Sequence, residues 1–349
     1  MNVQKARSIA QEWVDQYGSR LPGFCGAYLS GSILAADGQD SLPETSDIDI
    51  VVIINQEPPK EKPGKFSYRR VLLEVTLIRA EEYASPEHVL STHYLAYALH
   101  KDGILADPMG WLRPLHQSVK TQYANNNWVR RRCQSFLTRI KDCAARFDTD
   151  GPFHEQATQW VFPTGITTFP ILAADLQNCT VRKRYTAARM VLESYGLTDF
   201  YTPLIRLLTG DKFRPDSLPG HLKELETTFD MASLTEGPSF HYSFRSDISQ
   251  ESRFIAIGGC SHLIASPYPM EAVFWMAATF ARSHTILSMD APDLHRKRLP
   301  SFAAFMADIG ITGPEAFARR NQELLAFLPE VERVYNIIIQ ERTKVTVST

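Results

Sequence analysis

The apolar run DIDIVVII, residues 47–54, constrains the fold more than any other segment, because two aspartates stand at its front. Consecutive β-branched residues favour a β-strand, and a strand points successive side chains to opposite faces. Asp47 and Asp49 therefore lie on one face, roughly 6–7 Å apart along the chain. Two like charges side by side on a strand are unfavourable. The segment therefore predicts a strand that needs a positive charge beside its first residues.

Glu74 lies inside a further predicted strand, YRRVLLEVTLI, at residues 68–78. One face of this strand is wholly apolar and must be the buried one: Val71, Leu73, Val75 and Leu77. Glu74 lies on the opposite face, where a carboxylate among apolar neighbours is costly unless it is paired or bound to a metal ion. If the two strands are neighbours, Glu74 reaches the face of Asp47 and Asp49.

A glycine turn follows the first predicted strand, FCGAYLS, at residues 24–30. Gly31 has no Cβ, so the backbone can approach a ligand closely at this point. A helix that began after Gly31 and Ser32 would direct its free N–H groups toward an anion such as phosphate. The sequence thus predicts three carboxylates beside a turn that is suited to phosphate.

A site built from carboxylates alone is typical of hard cations. Magnesium binds through a few carboxylates together with substrate phosphates. Two such ions, ~3.5–4 Å apart, hold the attacking and leaving oxygens of an in-line displacement at phosphorus. The expected positive charge between the aspartates is therefore divalent metal, two Mg²⁺ ions with Mn²⁺ as the alternative. The predicted chemistry is phosphoryl or nucleotidyl transfer.

The stretch LSGSILAADGQDSLPETSDIDIVVI, residues 29–53, resembles the signature of the DNA polymerase β-like nucleotidyltransferase superfamily: Gly-Ser, a spacer, then Asp-x-Asp between apolar residues. Glu74 in LLEVTLI matches the third carboxylate of that family. The likeness is closest to small-molecule nucleotidyltransferases of the aminoglycoside adenylyltransferase kind, and it covers about residues 20–115. The spacer between Ser32 and Asp47, residues 33–46, is longer than is usual in the family.

The resemblance implies a role for each matching residue. Asp47 and Asp49 would bind both metal ions, and Glu74 would either bind the catalytic ion or act as general base toward the acceptor hydroxyl. The nucleotide-binding residues that it implies in this part of the chain are Gly31 and Ser32, at the β- and γ-phosphates, and Ser46, which orients the turn before the first aspartate.

Two arginines in the later part of the chain are further candidates for the nucleotide site. Arg182, in the motif RKR at 182–184, and Arg189 share one face of a predicted helix beside an apolar stripe, so both could face a phosphate. The alternative is a solvated basic helix face, which is the common explanation of such a run.

The pattern of elements changes near residue 110. Strands and helices alternate up to that point, and amphipathic helical patterns follow. We therefore expect an α/β nucleotidyltransferase domain at 1–120, a small mixed sheet with flanking helices, followed by an all-helical bundle domain at 121–349. The resemblance implies that the helical domain supplies the acceptor pocket and part of the nucleotide site.

Composition indicates an ordinary globular protein, with 44% apolar and 22% charged residues and a net charge of −2. The five cysteines show neither pairing nor metal-site spacing, which is typical of a cytoplasmic protein. Residues 1–20 lack the apolar stretch of a signal peptide, and no apolar run approaches the roughly 20 residues that span a bilayer. We therefore expect a cytoplasmic protein without a membrane partner.

These features favour an ATP-binding enzyme that moves a nucleoside monophosphate, AMP by resemblance, from an NTP to a hydroxyl of a small molecule and releases pyrophosphate. The resemblance points to an aminoglycoside-like antibiotic as acceptor, and hence to antibiotic resistance. Two alternatives stay open: transfer to a macromolecule such as tRNA or a protein, and a catalytically silent nucleotide-binding module. The net charge of −2 weighs against a nucleic-acid partner, and relatives act as monomers or homodimers.

Overall fold

A computed structural model describes residues 1–43, 46–59 and 63–347, with side chains described up to residue 344. The chain divides into two compact units. The first unit comprises Met1–Arg132, Leu176–Asn178 and His241–Ser246, and the second comprises Cys133–Asp175, Cys179–Phe240 and the chain from Asp247 onward. The first unit thus extends to Arg132, beyond the boundary that we expected after residue 120.

Within the described residues, five strands of the first unit form one mixed sheet. They are β1 (Phe24–Ser30), β2 (Ile48–Ile54), β3 (Gly64–Tyr68), β4 (Val71–Arg79) and β5 (Ile104–Ala106). Their order across the sheet is β3-β4-β2-β1-β5, and β2 and β4 run parallel while the other neighbours are antiparallel. The predicted mixed sheet, and the adjacency of the two acid-bearing strands, are therefore confirmed.

Helices make up most of the remaining chain. Those of the first unit are α1 (Val3–Gln16), α2 (Pro86–Ser91), α3 (His93–Leu99) and α4 (Leu112–Gln122), and α5 (Asn126–Ala145) continues from the first unit into the second. Those of the second unit are α6 (Phe153–Ile166), α7 (Phe169–Ala174), α8 (Arg184–Ser194), α9 (Tyr201–Thr209), α10 (Leu218–Ser233), α11 (Gly259–Ile264), α12 (Val273–Asp290), α13 (Pro292–Asp308) and α14 (Pro314–Val347). Over the ranges that the structure describes, none of these helices is long and apolar enough to cross a membrane.

Burial follows the position of each strand in the sheet. β2 lies between β1 and β4, and its apolar residues are buried on both faces. β4 alternates buried and half-buried residues, with Glu74 on the half-buried face, as the sequence predicts. The other face of the sheet receives α1, whose Trp13 ring lies 5.6 Å from that of Phe66 on β3. The apolar side of the sheet is thus closed by a helix.

The sequence pattern missed β3. The Pro/Lys/Glu-rich composition of residues 56–65 predicts a loop, of which 60–62 lie outside the described residues, and the strand predicted next begins only at residue 68. The structure instead forms a β3–β4 hairpin whose turn residues Arg69 and Arg70 have φ of 48° and 65°. Left-handed backbone at both positions is the geometry of a two-residue type I′ turn. Arginine is an uncommon residue there, so no turn signal marked the hairpin.

The segment after β1 also differs from expectation. Instead of a helix, a single 3-10 turn follows, Gly31–Leu34. The chain beyond this turn is hydrogen-bonded to the start of α1. The carbonyl oxygens of Asp40 and Gly38 accept hydrogen bonds of 2.9 Å from the N–H groups of Val3 and Gln4. The unusually long spacer at 33–46 therefore serves partly to hold the first helix, although its residues 44 and 45 lie outside the described part.

Candidate metal centre

The strand register brings the predicted acids together at one end of β2. Asp49 lies opposite Ser30 of β1 and opposite Glu74 of β4, and Glu74 in turn lies opposite Lys65 of β3. Asp47 immediately precedes β2. A row of directly paired positions thus crosses four strands, and it places two of the three carboxylates on the same face of the sheet.

The three carboxyl groups form a tight cluster. One oxygen from each of Asp47, Asp49 and Glu74 lies within 4.8 Å of the other two. All the ligand atoms are carboxylate oxygens, which suits a hard cation such as Mg²⁺ or Mn²⁺ rather than a thiophilic metal. The cluster of three carboxyl groups expected from the sequence is therefore present, and it could hold a metal ion.

Gly31 has a steric role at this cluster. Its φ of 68° lies in the left-handed region that favours glycine. A Cβ at this position would lie 1.8 Å from Oδ2 of Asp49, far inside contact distance. Glycine is therefore required both by the backbone conformation and by the space that the Asp49 carboxyl group occupies.

Lys65 is the member of the site that the sequence did not reveal. Its Nζ donates a hydrogen bond of 2.6 Å to Oε2 of Glu74 and lies 3.4 Å from Oδ2 of Asp47. Its side chain is only 9% exposed. The alternation of Phe66 and Tyr68 was the available signal of a strand, and a two-residue turn after Tyr68 then sets Lys65 opposite Glu74.

Burial and like charge both oppose the ionisation of Asp49. Desolvation raises its pKa well above the usual value, and the charges of Asp47 and Glu74 raise it further. Lys65 lowers this pKa, but by less than either neighbouring carboxylate raises it, and a hydrogen bond with Glu74 adds to the rise. The cluster therefore remains short of positive charge at Asp49 even with Lys65 in place.

The two predicted serines lie at the edges of this site. Ser32 is exposed in the 3-10 turn after Gly31. Ser46 is half-buried, and its N–H donates a hydrogen bond of 3.0 Å to the carbonyl oxygen of Pro43. The orienting role expected for Ser46 stays a prediction.

Arg182 and Arg189 belong to the second unit. Arg182 precedes α8, so the expectation that both share a face of one helix is wrong; its Nη1 donates to the carbonyl oxygen of Ile255 at 3.2 Å. Arg189 lies on α8 and donates hydrogen bonds of 2.9 Å to both Glu271 and Glu193. Residues 182 and 183 form a turn, so α8 begins only at Arg184. The part of either arginine in a nucleotide site stays a prediction.

Comparison with known proteins adds no relative to this picture. No model of a known protein family matches the chain, and no curated protein sequence matches it.

Proposed function

We propose that this protein is a metal-dependent nucleotidyltransferase that transfers a nucleoside monophosphate, AMP, from an NTP to a hydroxyl of a small molecule. The observation that supports the proposal most is the meeting of Asp47, Asp49 and Glu74, with ligand oxygens within 4.8 Å, beside Gly31. All four of these residues belong to the sequence motif. In this proposal the first unit is the catalytic domain of the polymerase β-like fold, and the helical second unit is the acceptor domain.

The three carboxylates would hold the divalent ions. When bound, such ions supply Lewis-acid stabilisation of charge on the phosphate oxygens. The carboxyl groups of Asp47 and Asp49 converge, which fits the role of metal ligands. Their mutual repulsion, and the desolvation of Asp49, oppose this convergence in the absence of a cation. A cation between them removes both costs at once.

The reaction is an in-line substitution at the α-phosphorus. The acceptor hydroxyl oxygen forms a new bond to this phosphorus, and the bond from the α-phosphorus to the bridging oxygen breaks. Pyrophosphate leaves with that electron pair. The hydroxyl proton passes to a base, for which Glu74 is the candidate in this chain if it is not consumed as a metal ligand.

The remaining assignments rest on the sequence. Gly31 and Ser32 would contact the β- and γ-phosphates, and Arg182 and Arg189 would contribute to the nucleotide site. The net charge of −2 offers little attraction to nucleic acid, so we place the acceptor among small molecules, with aminoglycoside-like antibiotics first by resemblance. We propose a cytoplasmic location from the cysteine pattern.

The test is pyrophosphate release with Mg²⁺ and each of the four NTPs, against aminoglycosides, lincosamides and tRNA. Asp49→Asn and Glu74→Gln should abolish turnover. Glu81→Gln, which removes a carboxylate of the same unit that is 75% exposed, is the matched control and should retain it. Turnover with one acceptor that is lost in the first two variants alone would establish the reaction and the class of acceptor.

Two other results would change the conclusion differently. Tight Mg·NTP binding without turnover on any acceptor would support the nucleotide site and require a wider acceptor panel. Absence of both turnover and NTP binding would refute the proposed function.

A further inference from the structure

We propose that Lys65 is an internal counter-ion of the acidic cluster that exchanges with the divalent cation and then pairs with the phosphates of the nucleotide. This inference rests on the proposed function and deepens it. It assigns to one residue of β3 the coupling between cation binding and nucleotide binding.

The contacts of Lys65 place its charge on two of the three carboxyl groups that a metal ion would use. Its ammonium donates to Oε2 of Glu74 at 2.6 Å and lies 3.4 Å from Oδ2 of Asp47. Both acids belong to the set that offers converging ligand oxygens. A divalent cation and this ammonium would therefore share the same carboxylates.

The two cations are mutually exclusive at these oxygens. An oxygen that accepts a short charge-assisted hydrogen bond has less electron density to offer a metal ion, and two cations on shared ligands repel each other. Three carboxyl groups converge beside this single ammonium, so a divalent ion, with twice the charge, is the better occupant. Cation binding is thus an exchange in which the ammonium leaves the carboxylates.

The released ammonium needs a new anionic partner. Lys65 lies on a strand that is fixed by the hairpin register, in which Lys65 is opposite Glu74 and Tyr68 is opposite Val71. Its side chain can therefore change direction, but its backbone stays beside the site. The triphosphate of a bound NTP supplies negative charge at the same place, so lysine, a flexible point charge, can pair with it.

This exchange predicts opposite effects of one substitution. Without the ammonium, the acids lose a competitor of the metal ion, and Mn²⁺ alone should bind about tenfold more tightly, a difference of about 1.4 kcal/mol. The nucleotide loses a cationic partner, so it should bind about tenfold more weakly at saturating Mg²⁺. A lysine that served only the fold would weaken both, because a distorted site binds neither ligand well.

The experiment measures both affinities by calorimetry for the wild type and for Lys65→Met, with Mn²⁺ alone and with a non-hydrolysable ATP analogue at saturating Mg²⁺. Lys120→Met is the matched control, since this lysine of the same unit pairs with Asp102 and is 45% exposed. It should change neither affinity. Lys65→Gln, which stays polar, replaces Lys65→Met if the latter does not fold.

The two affinities separate the possible results. Tighter Mn²⁺ binding with weaker nucleotide binding supports the exchange. If both ligands bind the wild type and the variant shifts both affinities in the same direction or neither, the exchange is refuted while the proposed function stands. If wild type and variant bind neither ligand, the exchange and the proposed function both fail.

Discussion

Two acidic sites, a half-buried cluster in the first unit and a buried glutamate in the second, differ in how their charge is compensated. In the first unit, repulsion among Asp47, Asp49 and Glu74 outweighs the attraction of Lys65 at the central carboxyl group. In the second unit, Glu271 has a side chain that is only 2% exposed. It accepts hydrogen bonds from Arg189 at 2.9 Å, from the Tyr201 hydroxyl group at 2.8 Å and from Thr186.

The difference separates a structural charge from a charge that is kept for a ligand. Three side chains donate hydrogen bonds to Glu271, which satisfies its buried carboxylate. The guanidinium of Arg189, one of these donors, also stacks over the Tyr268 ring at 3.6 Å. Burial opposes the charge of Arg189, but its hydrogen bonds to Glu271 and Glu193 raise its pKa. The acidic cluster of the first unit instead brings three carboxyl groups together beside the ammonium of Lys65. Like charges that converge in this way cost stability, which is typical of functional sites.

Asp49→Asn gives the sharpest test of this contrast. The substitution removes a metal ligand, so kcat for pyrophosphate release should fall at least about 10³-fold. It also removes a desolvated charge between two like charges, so the free energy of unfolding in EDTA should stay equal or rise. Steady-state kinetics and urea denaturation check the two effects. A large loss of stability together with the loss of activity would place Asp49 in the structural class instead.

Glu271→Gln should show the reverse behaviour. Arg189 would lose a buried ionic partner, and the free energy of unfolding should fall by about 3 kcal/mol. The Mn²⁺ affinity of the acidic cluster should not change. Glu193→Gln is the control, because Glu193 pairs with the same arginine but is 43% exposed, and it should cost less than about 0.5 kcal/mol. Equal losses in both variants would contradict the structural role of Glu271.

The same contrast explains which parts of the site the sequence could predict. Asp49 and Glu74 were predictable because each is an acid within an apolar strand, and Asp47 because it directly precedes one; a charge is retained at such positions only for a special reason. The prediction that Glu74 reaches the aspartates requires β2 and β4 to be neighbours, and the parallel pairing of Asp49 with Glu74 meets this requirement. The alternation of buried and exposed residues along a strand, a local property of the chain, was thus sufficient to predict three residues of the site.

Lys65 and the arginines show where local patterns fail. Lys65 reaches Glu74 only through the hairpin, and its turn uses two arginines with positive φ instead of the usual Asn-Gly. The contacts of Arg189 with Glu271 join residues that are 82 positions apart. The sequence alone therefore could not show which of the basic residues at 182–189 are solvated, which stabilise the fold and which bind a ligand.

Gly31→Ala tests the steric part of the acidic site. Alanine must adopt the left-handed φ of 68° and place Cβ where Oδ2 of Asp49 lies. We expect the free energy of unfolding to fall by about 2 kcal/mol, and Mn²⁺ affinity to fall because the Asp49 carboxyl group must move. Gly110→Ala is the control: its φ is 72°, and nothing lies within 4 Å of an added Cβ. It should lose some stability but no Mn²⁺ affinity, and equal Mn²⁺ affinities in the two variants would show that the close approach to Asp49 is unimportant.

A pH series extends the comparison to neutral buried groups of the second unit. His284 and His295 share a 3.1 Å contact between their Nδ1 atoms, and His154 lies beside them, its ring 5.2 Å from that of His295. Burial first, and then the neighbouring histidines, lower the pKa of His284 to about 3 and that of His154 to about 4, and burial lowers that of His295. These imidazoles are therefore neutral in the folded protein where an unfolded histidine, with a pKa of about 6.5, takes up a proton.

The unfolded state thus binds more protons below about pH 6.5, and stability that is fully present above that pH is lost as the pH falls toward 4. One such histidine should cost about 1.4 kcal/mol one pH unit below its unfolded pKa. Urea denaturation at pH 7.5 and 5.5 measures the loss, and His284→Phe should reduce it, because phenylalanine supplies an aromatic ring without a titrating group at a position whose ring lies 5.2 Å from that of Phe302 and 6.5 Å from that of Phe280. An unchanged pH dependence in this variant would mean that the proton uptake lies elsewhere. The smaller effect expected here, compared with the acids, follows from chemistry: each imidazole avoids the cost of a buried charge by staying neutral, whereas the clustered carboxyl groups also repel one another.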